Sequence, residues 1–249
     1  MEYYIRIILY CIITLLFNSS VFTYASSLST IDELAAQFDV TMCLKCHDDI
    51  AKDYMTSAHA VSTGNARFLH AFSEISKKEP DTFSASEKKK VQKVCLSCHM
   101  PQIEHASDGL VAYISSLIEK ASSDNNPAAK NSAHKKLANL RVNCRVCHMM
   151  KGMPEGKVQA KTIYGPGWDE DEESHKKEYG FGTIVSEYML TSEFCISCHD
   201  NCPPDLPQSI CSSLHARAER HYRVLRNMQP CQKCHMQEKD SVKHRFPVK

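Results

Sequence analysis

The sequence predicts a mainly α-helical chain with little regular secondary structure, and three observations predict it. The pattern C-x-x-C-H occurs five times in 249 residues, at Cys43–His47, Cys95–His99, Cys144–His148, Cys195–His199 and Cys231–His235. Two other stretches, 108–122 and 209–227, carry apolar residues at the helical period. No run of alternating apolar residues is long enough for a sheet.

The repeated pentapeptide has a chemical reason. Two thiols three positions apart can reach both vinyl groups of one porphyrin and form thioethers. The histidine that follows is delivered to one axial face of the iron, which is the attachment signature of c-type haem. Cys43, Cys46, Cys95, Cys98, Cys144, Cys147, Cys195, Cys198, Cys231 and Cys234 are the candidate attachment residues. His47, His99, His148, His199 and His235 are the candidate proximal ligands. A single C-x-x-C pair could equally hold zinc or act as a redox dithiol. Zinc sites combine such pairs two by two, whereas here the number is odd and every copy ends in histidine. The expected fold is therefore a multihaem cytochrome c fold organised around five covalent haem c groups and their iron. The first cysteines fall at intervals of 52, 49, 51 and 36 residues, a loose repeat that tightens at the end. At about 45 residues per haem, little chain is left for a large aliphatic core, and the porphyrins should supply much of it.

Taken in order, residues 1–25 read as a signal peptide. Arg6 is its one positive charge, Ile7 to Phe17 is an eleven-residue apolar run, and Thr23-Tyr24-Ala25 offers a small-residue cleavage site. The run is short for a membrane span, so an uncleaved anchor is the alternative. Residues 26–249 read as the pentahaem domain, in the periplasm or outside the cell, where c-type haem is attached. Ser29 to Val40 should be a short helix, with Leu34, Ala35 and Phe38 on one face and Thr30 or Ser29 as cap. The helix 108–122 presents Leu110, Ile114, Leu117 and Ile118, with Asp108 able to cap it, and 123–127 ends it. The helix 209–227 follows Pro203, Pro204 and Pro207 and carries Ile210, Leu214, Ala218, His221 and Leu225 near one stripe.

Thirteen cysteines less the ten of the motifs leave Cys11, inside the signal, and Cys202 and Cys211. In an oxidising compartment these last two are expected to close the intervening turn as a disulfide.

Cys43 to Ala60 reads C-L-K-C-H-D-D-I-A-K-D-Y-M-T-S-A-H-A. It resembles the opening of a group of multihaem cytochromes that includes the tetrahaem electron carriers of ammonia oxidisers and enzymes similar to hydroxylamine oxidoreductase. Tyr54 stands where that group usually has Trp. C-L-S-C-H-M-P from Cys95 is similar to its second site and V-N-C-R-V-C-H-M-M-K-G from Val142 to its third. Ile163-Tyr164-Gly165-Pro166 with His175, Ser192-Glu193-Phe194 before Cys195, and Cys231 to Phe246 extend the likeness. The resemblance implies that His59, His175 and His244 are distal axial ligands.

Thirteen histidines less the five of the motifs leave eight: His59, His70, His105, His134, His175, His215, His221 and His244. Five six-coordinate irons need five distal ligands, so a fully bis-histidine protein is possible. His134, His221 and His105 are the candidates for the remaining positions; His70 and His215 are expected spares. Met100, Met149 and Met236 follow proximal histidines directly and are expected to pack against porphyrin rather than ligate.

The formal charge of +1 excludes little by itself. Five haems would add about ten propionate charges, so the holo-protein should be acidic. There is no basic stripe with interleaved aromatics, which argues against nucleic-acid binding. The acidic run 169–173 and Lys88-Lys89-Lys90 read as solvated surface.

Together these features predict an exported cytochrome that passes electrons between redox partner proteins through a row of mostly bis-His haems, more a carrier than an enzyme. A reductase of nitrite, hydroxylamine or a sulfur oxyanion would need one open haem face. A subunit of an extracellular cytochrome filament is the third possibility. The donor, the acceptor and the oligomeric state have no signature in the sequence.

Overall fold

The computed structural model describes residues 27–77, 84–149, 163–165, 169–180, 182–199, 229–238 and 241–246. The signal segment, the Cys202–Cys211 pair, His215, His221 and the helix expected over 209–227 lie outside the described residues. Helices account for about 70% of the residues described. Among the described residues the mainly α expectation holds, and their helix content exceeds the sparse structure that the haem spacing suggested.

Local chemistry starts each helix. In α1 (Ile31–Gln37) the Thr30 hydroxyl accepts from the Glu33 amide while the Glu33 carboxylate accepts from the Thr30 amide, a complete capping box. The first motif forms α2 (Cys43–Cys46), and α3 (Asp48–Met55) follows at once, with a 3₁₀ turn at His59–Val61. The Asn65 side chain accepts from the Arg67 and Phe68 amides at the start of α4 (Ala66–Lys77). A second capping box, Ser84 with Glu87, opens α5 (Ala85–His99), and this helix runs straight into the second motif.

The helix predicted at 108–122 is α6 (Asp108–Ser123), but its cap is Ser107, whose hydroxyl accepts from the Leu110 amide. Asp108 is already inside the first turn and pairs with Lys89 at 3.2 Å. Asn126 then caps α7 (Pro127–Ala138), with proline at the one position where a missing N–H costs nothing. The third motif is α8 (Cys144–His148).

Helices α1 and α4 to α8, with the segments between them, bury an apolar cluster that includes Leu34, Phe38, Phe72, Leu96, Ile114, Ile118, Leu137 and Val146. Each such side chain contributes roughly 1.5–3 kcal/mol relative to exposure. This corrects the expectation that too little chain remains for an aliphatic core: residues 31–149 build one from protein alone. Met100 and Met149 are completely buried within it, packed among protein side chains. Beyond residue 149 the position reverses, and only Tyr164 and Ser197 are buried among the described residues.

That second half consists of β1 (Ile163–Gly165), α9 (Asp169–Tyr179), β2 (Thr183–Val185), α10 (Ser192–His199), α11 (Cys231–His235), β3 (Gln237–Glu238) and β4 (Ser241–Val242). Strands β1 and β2 pair in parallel, Ile163 opposite Thr183, and β3 and β4 form a two-residue antiparallel ladder. These ladders are too short to leave an alternating pattern in sequence. The acidic run 169–173 opens α9, the end where the helix dipole favours negative charge. Lys89 and Lys90 are exposed, as a solvated surface requires.

Candidate haem-binding site

All five motifs are helical, at α2, the end of α5, α8, the end of α10 and α11. Cysteines three apart on a helix share one face, so each pair presents both sulfurs to one side. The following histidine closes the turn.

The motifs that are distant in sequence meet in space. The thiols of Cys98 and Cys198 lie beside each other, as do those of Cys195 and Cys231. Cys43 lies within electrostatic range of Cys144, and Cys147 within range of Cys198. The first motif therefore neighbours the third, the third and second neighbour the fourth, and the fifth leans on the fourth. Backbone anchors fix this last contact: the Cys231 amide donates to the Ser192 hydroxyl at 3.1 Å. The Gln232 side-chain amide donates to the carbonyls of Met189 at 2.7 Å and Thr191 at 2.8 Å.

The histidines carry the decisive geometry. The rings of His47 and His175 lie 6.2 Å apart, centre to centre, with planes 13° from parallel. The rings of His59 and His199 lie 6.0 Å apart with planes at 87°. A metal–imidazole bond of about 2.0 Å, with about 1.1 Å from nitrogen to ring centre, sets two trans imidazoles about 6.2 Å apart. Both pairs have about that separation, and each joins a motif histidine to one outside the motifs.

Two more motif histidines are oriented as ligands are. The His99 Nδ1–H donates to the Ser62 carbonyl at 3.1 Å, and the His148 Nδ1–H donates to the Tyr164 carbonyl at 2.8 Å. Each bond fixes the tautomer and leaves Nε2 for a metal. The Phe68 ring stacks on His99 at 4.0 Å and 14° and holds its plane.

Burial pushes His59 and His244 down to about 4, with neighbouring imidazoles acting in the same direction. His99, His148 and His199 are lowered by the same cause. Neutral imidazole is the form that binds metal. Nδ1 of His244 is buried without a hydrogen-bond partner. The His148 and His47 imidazoles also lower His244, while the Asp53 carboxylate acts in the opposite direction.

Burial pushes the Cys147 thiol up to about 12 and the Cys95 thiol up to about 11, whereas the neighbouring thiols Cys98 and Cys195 hold Cys198 and Cys231 below the usual thiol value. Among the described residues no group of three or more His, Cys, Asp or Glu could hold a metal ion. Zinc would require such a group, whereas a porphyrin supplies four of the iron's ligands itself.

The structure thus brings His175 and His59 to motif histidines and sets His244 near His148. His134 on α7 is half-buried, with Nδ1 4.0 Å from where a Cβ on Gly64 would stand. Among the described residues it makes no ring contact with a motif histidine. His105 packs on Phe38 at 5.7 Å, and His70 is exposed.

Several contributors were not foreseen. Ser62 and Tyr164 act through backbone carbonyls, which leave no residue-type signal. Asp53 lies in the sequence that carried the resemblance, yet its partners Lys243 and Arg245 lie about 190 residues away.

A family model for cytochrome c554 and c-prime matches residues 42–121, the stretch that holds the first two motifs and His59. No curated protein and no solved structure matches the chain. The family match supports a c-type cytochrome with covalently bound haem c, iron and a haem-based electron-transfer role. Cytochromes of this kind are commonly exported and usually act with redox partners. No helix among the described residues is long and apolar enough to cross a membrane.

Proposed function

We propose that this chain is an exported pentahaem c-type cytochrome that carries electrons between redox partner proteins, with residues 1–25 as its signal and 26–249 as its working domain. The observation that carries the proposal is the pair of cross-chain histidine couples, His47 with His175 and His59 with His199, each spaced for one iron. His244 is the distal ligand opposite His148 in this reading, and His134 and His221 serve the remaining irons. The second half of the chain, whose described residues include few buried side chains, takes its core from porphyrin.

The haem irons supply the redox chemistry. The chain supplies neutral imidazoles, the carbonyls of Ser62 and Tyr164 that orient two of them, and a packed interior that excludes water. Bis-histidine ligation lacks the methionine that raises potential, so low potentials follow. The adjacency of the motifs supports electron passage from the first through the third and fourth to the fifth, with the second beside the fourth. The motif order also supports a place near the tetrahaem carriers of ammonia oxidisers.

Spectroscopy of the purified holo-protein tests this. Its intact mass should show five haem increments, its ferric spectrum should be low-spin, and the reduced protein should take up little carbon monoxide. His59→Ala and His175→Ala should each open one haem and bind about one equivalent. An unmodified protein that already binds one equivalent, with a high-spin ferric component, contradicts the carrier reading and points to a reductase.

A further inference from the structure

We propose that Asp53 is a positioning residue that clamps the C-terminal segment so that His244 stays on its iron; this rests on the proposed role of His244 as a distal ligand. Asp53 sits on α3, six residues beyond the first motif, with only 18% of its side chain exposed. One carboxylate oxygen meets the Arg245 Nε at 3.1 Å and the other meets the Lys243 Nζ at 3.6 Å. The two cations flank His244 in sequence, so a single carboxylate holds the chain on both sides of the ligand.

The segment is also tied back by the Lys243 amide, which donates to the Met236 carbonyl, and by the two-residue ladder β3–β4. The rings of His244 and His59 both rest edge-on against Phe246, at 6.1 and 4.5 Å. An exposed ion pair holds little, but a shielded carboxylate with two cationic partners is a small network whose members support one another. The clamp also has a geometric consequence. It joins the helix that follows the first motif to the ligand expected opposite the third motif, so those two haem sites are built on one rigid contact.

The test is the rate at which the dithionite-reduced holo-protein captures carbon monoxide, because capture waits for an axial histidine to leave. His244→Ala should bind about one equivalent at once. Asp53→Asn keeps the shape and removes the charge, and should speed capture at one haem about tenfold. Asp53→Glu should restore slow capture. Lys243→Gln with Arg245→Gln removes the clamp from the other side and should reproduce Asp53→Asn, which guards against a variant that merely assembles poorly. Asp49→Asn, an exposed charge on the same helix, should leave the rate unchanged. If His244→Ala opens no haem, the ligand assignment is wrong. If it opens one and Asp53→Asn captures no faster than the parent, or Asp49→Asn captures equally fast, the clamp is wrong and the assignment stands.

Discussion

Replacing Ser62 with alanine should separate two jobs that this one residue performs. Its hydroxyl donates to the His99 carbonyl at 3.2 Å and accepts from the Val142 amide at 2.9 Å. Its own carbonyl accepts from the His99 Nδ1–H. Ser62 and Val142 are both 8% exposed, so solvent cannot easily replace what is lost. Removing the hydroxyl strands a buried amide at a cost of about 1–3 kcal/mol and forfeits a second hydrogen bond of about 1 kcal/mol. The expected destabilisation is about 2–3 kcal/mol, a urea midpoint lower by roughly 1 M and a melting temperature lower by about 4–10 °C. The carbonyl that orients His99 is untouched, so the low-spin spectrum and the slow uptake of carbon monoxide should be those of the parent. Denaturant titration followed by far-UV circular dichroism, together with the visible spectrum of the native variant, gives both readouts. A midpoint shift below about 0.3 M would refute the energetic reasoning. Loss of one low-spin haem would refute the division of labour between hydroxyl and carbonyl.

Two further outcomes are expected. Burial pushes His59 and His244 to about 4, whereas in the unfolded chain each would titrate near 6.5. Between these values the unfolded chain binds the extra protons, so stability is full above about pH 7 and falls as the pH drops toward 4, by on the order of a few kcal/mol. Urea midpoints measured across that range check the sign, and a midpoint that rises on acidification would contradict it. Asn143→Ala should cost about 2 kcal/mol: the side chain caps α8 through the Val146 amide at 3.0 Å and donates to the Phe38 carbonyl at 3.1 Å. A thermal melt within about 1 °C of the parent would exclude that tie between the third motif and the approach to the first.

The sequence by itself determined the chemistry. C-x-x-C-H is local, because two thiols and an imidazole within five residues are enough to attach one haem, so all five candidate sites could be read without a fold. The α1 and α6 helices were legible for the same reason, since their apolar periods lie within a few positions, although α6 is capped by Ser107 rather than Asp108. Some readable signals were passed over, such as Ser84 with Glu87 before α5 and Asn126-Pro127 before α7.

What only the tertiary structure decided is which parts meet. A distal ligand lies on the far side of an iron from its motif, and the chain can reach that point from any distance. His175 faces His47 from 128 positions away, and His59 faces His199 from 140. No local pattern encodes such a pairing, because it depends on where distant segments come together rather than on neighbouring side chains. The carbonyls of Ser62 and Tyr164 are equally silent in sequence, since every residue has a carbonyl and only its placement makes it a partner. The aliphatic core of residues 31–149 was underestimated for a related reason. Helices α4, α5 and α7 each contribute a few apolar side chains, and these become a core only when α6 packs among them.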